Sequence, residues 1–290
     1  MDLFLQTLLN GLLVGAGYAV TAVGLTLVFG ILGIVNFAHG AFFALGAYAV
    51  LLATRAGAPY VLALFVGLGV VAVAALATEV LIVRKRLYGE GNHSSLIVTF
   101  ALAQAMMAAM LLIAGPDPQP VRSPFAVSLS FGGFVVSGQR IFILVTSALV
   151  LSVFGIWLKY SVRGRQVAAV AQNPRGALYT GINVPRIRTL SFALGVGAAG
   201  IAGGLLTPIT NVFPTMGNAS MITSFIVVIL GGMGSLSGSL LGALLVGVAN
   251  AMFETYVSVS WTPALGWILV IAILLLAPQG LRGKSLKHRY

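Results

Sequence analysis

Apolar residues fill this chain in long runs, and short polar clusters separate them at fairly even spacing. The runs cover residues 3–29, 37–54, 60–83, 95–114, 141–158, 189–207, 221–232, 239–253 and 262–277. Three stretches contain no Asp, Glu, Lys or Arg at all: 3–54, 189–253 and 255–281. An uncharged apolar run of roughly 18 residues or more marks a transmembrane helix. A membrane β-barrel would show short segments of alternating polarity, which are absent. Backbone groups in lipid must be paired internally, so the runs predict helices. The expected fold is an all-α polytopic membrane protein with eight to nine transmembrane helices, forming a single domain over 1–290. The first run has only Asp2 ahead of it and is too long for a cleavable signal peptide, so it reads as a retained helix.

Composition strengthens this picture. Hydrophobic types make up 59% of the 290 residues and charged types 7%, against roughly 25% charged in soluble domains. The net charge of +11 does not point to nucleic acid, because the basic residues lie between apolar runs and not on one solvated face. They set orientation instead. Nine alternating spans place Arg84, Lys85 and Arg86, the loop 159–188, and the tail with Arg282, Lys284, Lys287 and Arg289 on one side. That side holds 13 basic residues, and the other only Arg55, Arg122 and Arg140. The basic side is expected to be cytoplasmic, with the C-terminus inside and the N-terminus outside. The loop 115–140 then lies outside. Its Gly132-Gly133 pair, between 127–131 and 134–137, predicts a small β-hairpin or else an irregular loop.

Several motif matches fail on context. Gly195-Val-Gly197-Ala-Ala-Gly200 fits a dinucleotide fingerprint but lies inside an apolar helix with no strand before it. Its small residues read as helix-packing positions, as do the pairs Gly11/Gly15 and Gly238/Gly242. Gly283-Lys284-Ser285 resembles the end of a P-loop, but Pro278 stands where the first glycine belongs. No ATP site of its own is expected, and there is no cysteine for disulfide, thiol or Cys-metal chemistry. His39, His93 and His288 form no visible catalytic or metal cluster with the five acids. Glu79 and Glu254, near run ends, read as interfacial anchors.

Two glycine-rich interruptions carry the functional signal. One is Gly30-Ile-Leu-Gly33-Ile-Val-Asn36-Phe-Ala-His39-Gly40, and the other is Gly231-Gly232-Met-Gly234-Ser235-Leu-Ser-Gly238. Clustered glycine breaks a helix. A break at membrane depth is tolerated only inside protein or along a water-filled path, so paired breaks point to a transport pathway. Gly33, Asn36, His39, Gly40, Gly231, Gly232, Gly234 and Ser235 are the pathway candidates. A plainer reading makes Asn36 the cap of the restarting helix and puts His39 at the cytoplasmic interface. The third feature is 159–188, the longest polar stretch. Residues 165–171 favour helix, and Pro174 with Asn173 before it starts a second short one. Such an amphipathic element needs either a partner or the membrane surface to bury its apolar side.

The run Ala22-Val-Gly-Leu-Thr-Leu-Val-Phe-Gly-Ile-Leu-Gly-Ile-Val-Asn-Phe-Ala-His-Gly-Ala-Phe-Phe-Ala-Leu-Gly-Ala-Tyr48 resembles the N-terminal signature of branched-chain amino acid ABC importer permeases of the LivH type. Residues 164–182 resemble their ATPase-contacting coupling segment, and 228–247 their C-terminal signature. The resemblance implies coupling roles for Gly164, Arg165, Gln172, Asn173, Arg175, Ala177 and Gly181. Gln172-Asn173 departs from the acidic residues that relatives often carry. It also implies a bacterial inner-membrane location and a paralogous second permease of the LivM type. Two ATPases of the LivG/LivF type would hold the ATP and magnesium, and a periplasmic binding protein would deliver the substrate. Leu, Ile and Val are expected cargo, with other amino acids, urea, amides or small carboxylates also carried by relatives. An ion-coupled secondary transporter is the alternative; it would need an acid or base in mid-membrane. An intramembrane enzyme would need a clustered nucleophile or metal ligands.

Overall fold

The computed structural model describes residues 2–33, 35–83, 92–125, 127–131, 134–277 and 279–283. Arg84–Arg86, Lys284, Lys287, His288, Arg289 and the Gly132-Gly133 turn lie outside the described residues, as does the side chain of His93. Every apolar run becomes a helix. The order is α1 (Asp2–Leu32), α2 (His39–Arg55), α3 (Tyr60–Thr78) running into a π-turn (Glu79–Val83), α4 (Asn92–Ala114), β1 (Ser128–Phe131) and β2 (Phe134–Ser137). Then follow α5 (Gly138–Tyr160), α6 (Val162–Gln172), α7 (Pro174–Tyr179), α8 (Val184–Leu206), α9 (Met216–Gly231), α10 (Leu236–Tyr256), a 3-10 turn (Val259–Trp261) and α11 (Thr262–Leu276).

The nine membrane-scale helices among the described residues are unequal. Six are long and apolar enough to span a bilayer by length and composition. α1 has 31 residues, about 46 Å at 1.5 Å per residue, and so outruns a hydrocarbon core of about 30 Å. α2 and α9 are shorter, with 17 and 16 residues.

Burial sorts the bundle into centre and rim. The apolar windows of α1 and α8 are 78% and 67% buried, and those of α4 and α5 only 11%. α1 packs most extensively on α10 and α8, and α8 also on α2 and α3. Helices in lipid gain little from hydrophobic segregation, so small residues that let backbones approach decide which helices pair. A Cβ on Gly24 would meet the Gly195 carbonyl, and one on Gly46 the Gly200 carbonyl. Gly11 and Gly15 meet α10 backbone at residues 243–248 in the same way, and Gly242 meets Val227. The glycines that mimic a nucleotide fingerprint are thus packing positions, apart from Gly197, which has nothing within 4 Å.

The hairpin forms, with Leu129 opposite Val136 and Phe131 opposite Phe134. It is gripped by the start of α1: the Gln6 amide donates to the Val135 carbonyl at 2.8 Å, and the Val135 N–H donates to Gln6 Oε1 at 3.0 Å. Arg140 follows it directly, while α5 carries the chain to α6 and α7 at the opposite end.

Candidate functional site

The first break is a return into the bundle, not a loop at its edge. Gly33 ends α1 with φ +69°, a conformation that costs other residues because Cβ would crowd the backbone. The chain then turns back, and Asn36 and His39 are fully buried. The Ala38 N–H donates to Asn36 Oδ1 at 3.1 Å. His39 Nε2 sits 3.0 Å from the Thr21 carbonyl, which can only accept, so Nε2 carries the proton. Thr21 lies 11 residues before the end of α1, about 16 Å along it. His39 is therefore held inside the bundle against α1, and Asn36 accepts a hydrogen bond at the entry to α2. Asn36 Nδ2 and His39 Nδ1 find no partner among the described residues. One step on, the backbones of Gly40 and Gly217 touch so closely that a Cβ on either would meet the other's carbonyl. The N-terminal ends of α2 and α9 thus meet inside the protein.

The second break joins α9 to α10. Gly231 and Gly232 are buried, and Gly232 has φ +100°. Gly234 is exposed, and Ser235 caps α10 by accepting the Gly238 N–H at 3.1 Å. Thr26 of α1 bonds Ser239 at 2.5 Å just beyond. The chain end closes over this break: the Leu281 N–H donates to the Leu230 carbonyl at 2.8 Å, and the Arg282 N–H to the Gly231 carbonyl at 3.0 Å. The two breaks approach at one point, where a Cβ on Gly30 would lie 3.9 Å from Gly234 Cα.

The polar stretch 159–188 forms two capped helices. The Gly164 N–H donates to Ser161 Oγ at 2.8 Å, which starts α6, and the Gly176 N–H donates to Asn173 Oδ1 at 2.9 Å, which starts α7. Gly164 is pressed against the end of α5, where a Cβ would meet the Leu158 backbone. Val167, Val170 and Ala177 join Leu27 and Ile31 of α1, with Val184 and Ile187 of α8, in one apolar cluster. That part of the element's apolar side is thus covered by its own chain. Arg165, Gln172, Asn173, Arg175 and Gly181 remain exposed. So do Leu178 and Tyr179, 59% and 88% accessible.

A family model described as the branched-chain amino acid transport system permease component matches residues 7–278. The chain belongs to this permease family. Curated relatives include the high-affinity branched-chain amino acid transport system permease LivH of Escherichia coli K12, 29% identical over 97% of this chain and 96% of that one. BraD of Pseudomonas aeruginosa, with the same description, is 30% identical over the same shares. A chain of PsaBC from Streptococcus pneumoniae in complex with Fab shares the fold, at TM-score 0.53 and 12% identity over 95% of this chain and 92% of that one.

Two features of this permease were missed by sequence reasoning. Leu178 and Tyr179 were not singled out, although an adjacent apolar pair at the tip of a capped polar helix was a readable signal. Glu79 is completely buried, not an interfacial anchor, and accepts a 2.6 Å hydrogen bond from Thr189 Oγ1 at the start of α8. Nothing in the sequence marked the π-turn that places it there. Glu254, by contrast, is exposed.

Proposed function

We propose that this permease is the membrane subunit of an ABC importer that carries branched-chain or related amino acids across the bacterial inner membrane. Energy enters through α6 and α7, on which separate ATPase subunits dock. The observation that carries this reading is the rigid capped pair itself. It is seated on the end of α1 and presents Leu178 and Tyr179 among Arg165, Arg175 and Asn173. Large apolar side chains within a polar rim are the usual anchors of protein interfaces. The end bearing α6 and α7 faces the cytoplasm in this assignment, and the hairpin end faces the periplasmic binding protein. A second permease completes the pathway, with Gly231–Ser235 at its inner end and the fully buried turn at Asn36, His39 and Gly40 packed behind it. The chain needs no cofactor of its own, since ATP and magnesium belong to the ATPases.

The ion-coupled alternative has one observation in its favour, the buried Glu79. Its hydrogen bond to Thr189 instead ties α3 to the helix that leaves the coupling element, a structural use of the carboxylate. Reconstitution separates the two readings. Proteoliposomes holding both permeases, both ATPases and the binding protein should accumulate labelled leucine only with ATP. Uptake driven by an imposed proton or sodium gradient without ATP would overturn the importer assignment.

A further inference from the structure

A cleft of about 150 Å³ opens between α1, α10 and the start of α5, at the hairpin end of the bundle. Its walls are polar, although α1 and α10 are otherwise apolar helices in their closest contact. Two opposite charges flank it: Arg140, half-buried, and Glu254, exposed at the rim. Among the described residues they form no ion pair with each other. Between them stand Asn10, Tyr18 and Asn250. Asn10 Oδ1 is buried and has no hydrogen-bond partner among the described residues. Val14 and Ala251 supply apolar wall. Packing does not explain the unsatisfied amide oxygen of Asn10, which is costly unless something fills the space, and Arg140 and Glu254 add a charge of each sign to the same cleft.

We infer that this cleft is a binding site for a zwitterionic α-amino acid, whose carboxylate meets Arg140 and whose ammonium meets Glu254. The inference rests on the importer reading above and assigns it a site within the permease. The chemistry fits on three counts. An α-amino acid carries both charges on neighbouring atoms, which suits two opposite charges that face one space. Arg binds a carboxylate through paired N–H donors, and a carboxylate accepts strongly from an ammonium. The volume equals that of an apolar cavity that holds benzene, so it accommodates the charged head with a small branched side chain. A sugar or other uncharged solute offers neither charge a counter-charge, so it gains less from the cleft than a zwitterion does. Asn10 and Asn250 then act as additional polar partners for the head group.

Equilibrium binding tests this on the assembled importer in lipid nanodiscs, without the binding protein. The probe is tritiated leucine read by scintillation proximity. Leucinamide, which lacks the carboxylate, and 4-methylpentanoate, which lacks the ammonium, serve as competitors. In the wild type, unlabelled leucine should displace the probe at least tenfold better than either analogue, about the loss expected for one charge-assisted hydrogen bond. Arg140→Gln should erase the preference over leucinamide, and Glu254→Gln the preference over 4-methylpentanoate. A general folding defect would lower all three ligands together and change neither ratio. Equal competition by the analogues in the wild type overturns the site, whatever the variants do. So does a wild type that binds no leucine yet imports it with ATP and the binding protein. Both results leave the transport reading standing, whereas absence of any ATP-driven amino acid uptake removes that reading and this site with it.

Discussion

Replacing Tyr179 with alanine tests the proposed docking role of α7 apart from its folding. Tyr179 is 88% accessible, so nearly all of its side chain is free to be covered. A tyrosine that becomes fully buried removes on the order of 200 Å² from water, worth about 4–5 kcal/mol at 25 cal/mol per Å². Ordering the side chain at an interface takes back about 1 kcal/mol, and the hydroxyl edge contributes less than carbon does. The net is about 2–3 kcal/mol, or a 30- to 150-fold rise in the dissociation constant of the ATPase. Leu178, 59% accessible, adds about 1 kcal/mol by the same arithmetic. The permease itself should be untouched: exposed substitutions away from caps change stability by about 0.5 kcal/mol or less, and the α7 cap is Asn173. The assay is ATPase binding to nanodisc-embedded permease by biolayer interferometry at fixed salt, paired with thermal unfolding of the permease alone. A dissociation constant for the Tyr179→Ala variant within twofold of wild type, with unfolding unchanged, would refute the argument that α7 is the docking anchor.

Three further outcomes follow from the packing. Gly40→Val drives a side chain into the Gly217 backbone and should destabilise by about 3 kcal/mol, the upper end for overpacking because backbone cannot move aside cheaply; Gly30→Ala, with only Gly234 Cα at 3.9 Å, is the tolerated control in the same unfolding assay. Asn173→Ala removes the 2.9 Å cap of α7 and should weaken that helix by about 1 kcal/mol, seen as faster amide exchange over 174–179 with α6 unchanged. Gln6→Ala removes both hydrogen bonds that hold the hairpin to α1 and should speed proteolytic cleavage within 128–137, while cleavage elsewhere stays as in wild type.

The helices were legible in the sequence because lipid imposes a simple rule: each span must be apolar, long enough and free of charge. All nine runs match helices for that reason. Depth was not legible. The apolar pattern that read His39 as interfacial reports nothing of burial inside the bundle. It cannot register that the chain folds back to Thr21 after Gly33. Glu79 was misplaced on the same ground, since a position near a run's end says nothing about a neighbour such as Thr189. The coupling stretch was readable as two helices from Asn173-Pro174. Its burial partner was not, because Leu27 and Ile31 lie more than 130 residues away and look like ordinary span residues. The charged cleft was hidden for a different cause: Arg140 and Glu254 each resemble a routine loop or interface charge until α1 brings them to one space.

α1 is the element that makes those distant features one device. Along its length it holds the hairpin at Gln6, lines the cleft at Asn10, Val14 and Tyr18, and receives His39 at Thr21. Further on it bonds Ser239 from Thr26, and it ends among Val167 and Val170 of α6 at Leu27 and Ile31. It contains no proline, so it lacks the commonest cause of a sharp kink. A rod of about 46 Å that tilts ~5° about its middle moves each end by about 2 Å. α6 rests on the same helix that forms a wall of the cleft. Close glycine contacts of α1 with α8 and α10, at Gly24 with Gly195 and Gly15 with Gly247, bring the backbones together where bulky side chains would hold them apart. The same small residues that made the sequence look like a false nucleotide motif thus seat the central helix against its neighbours.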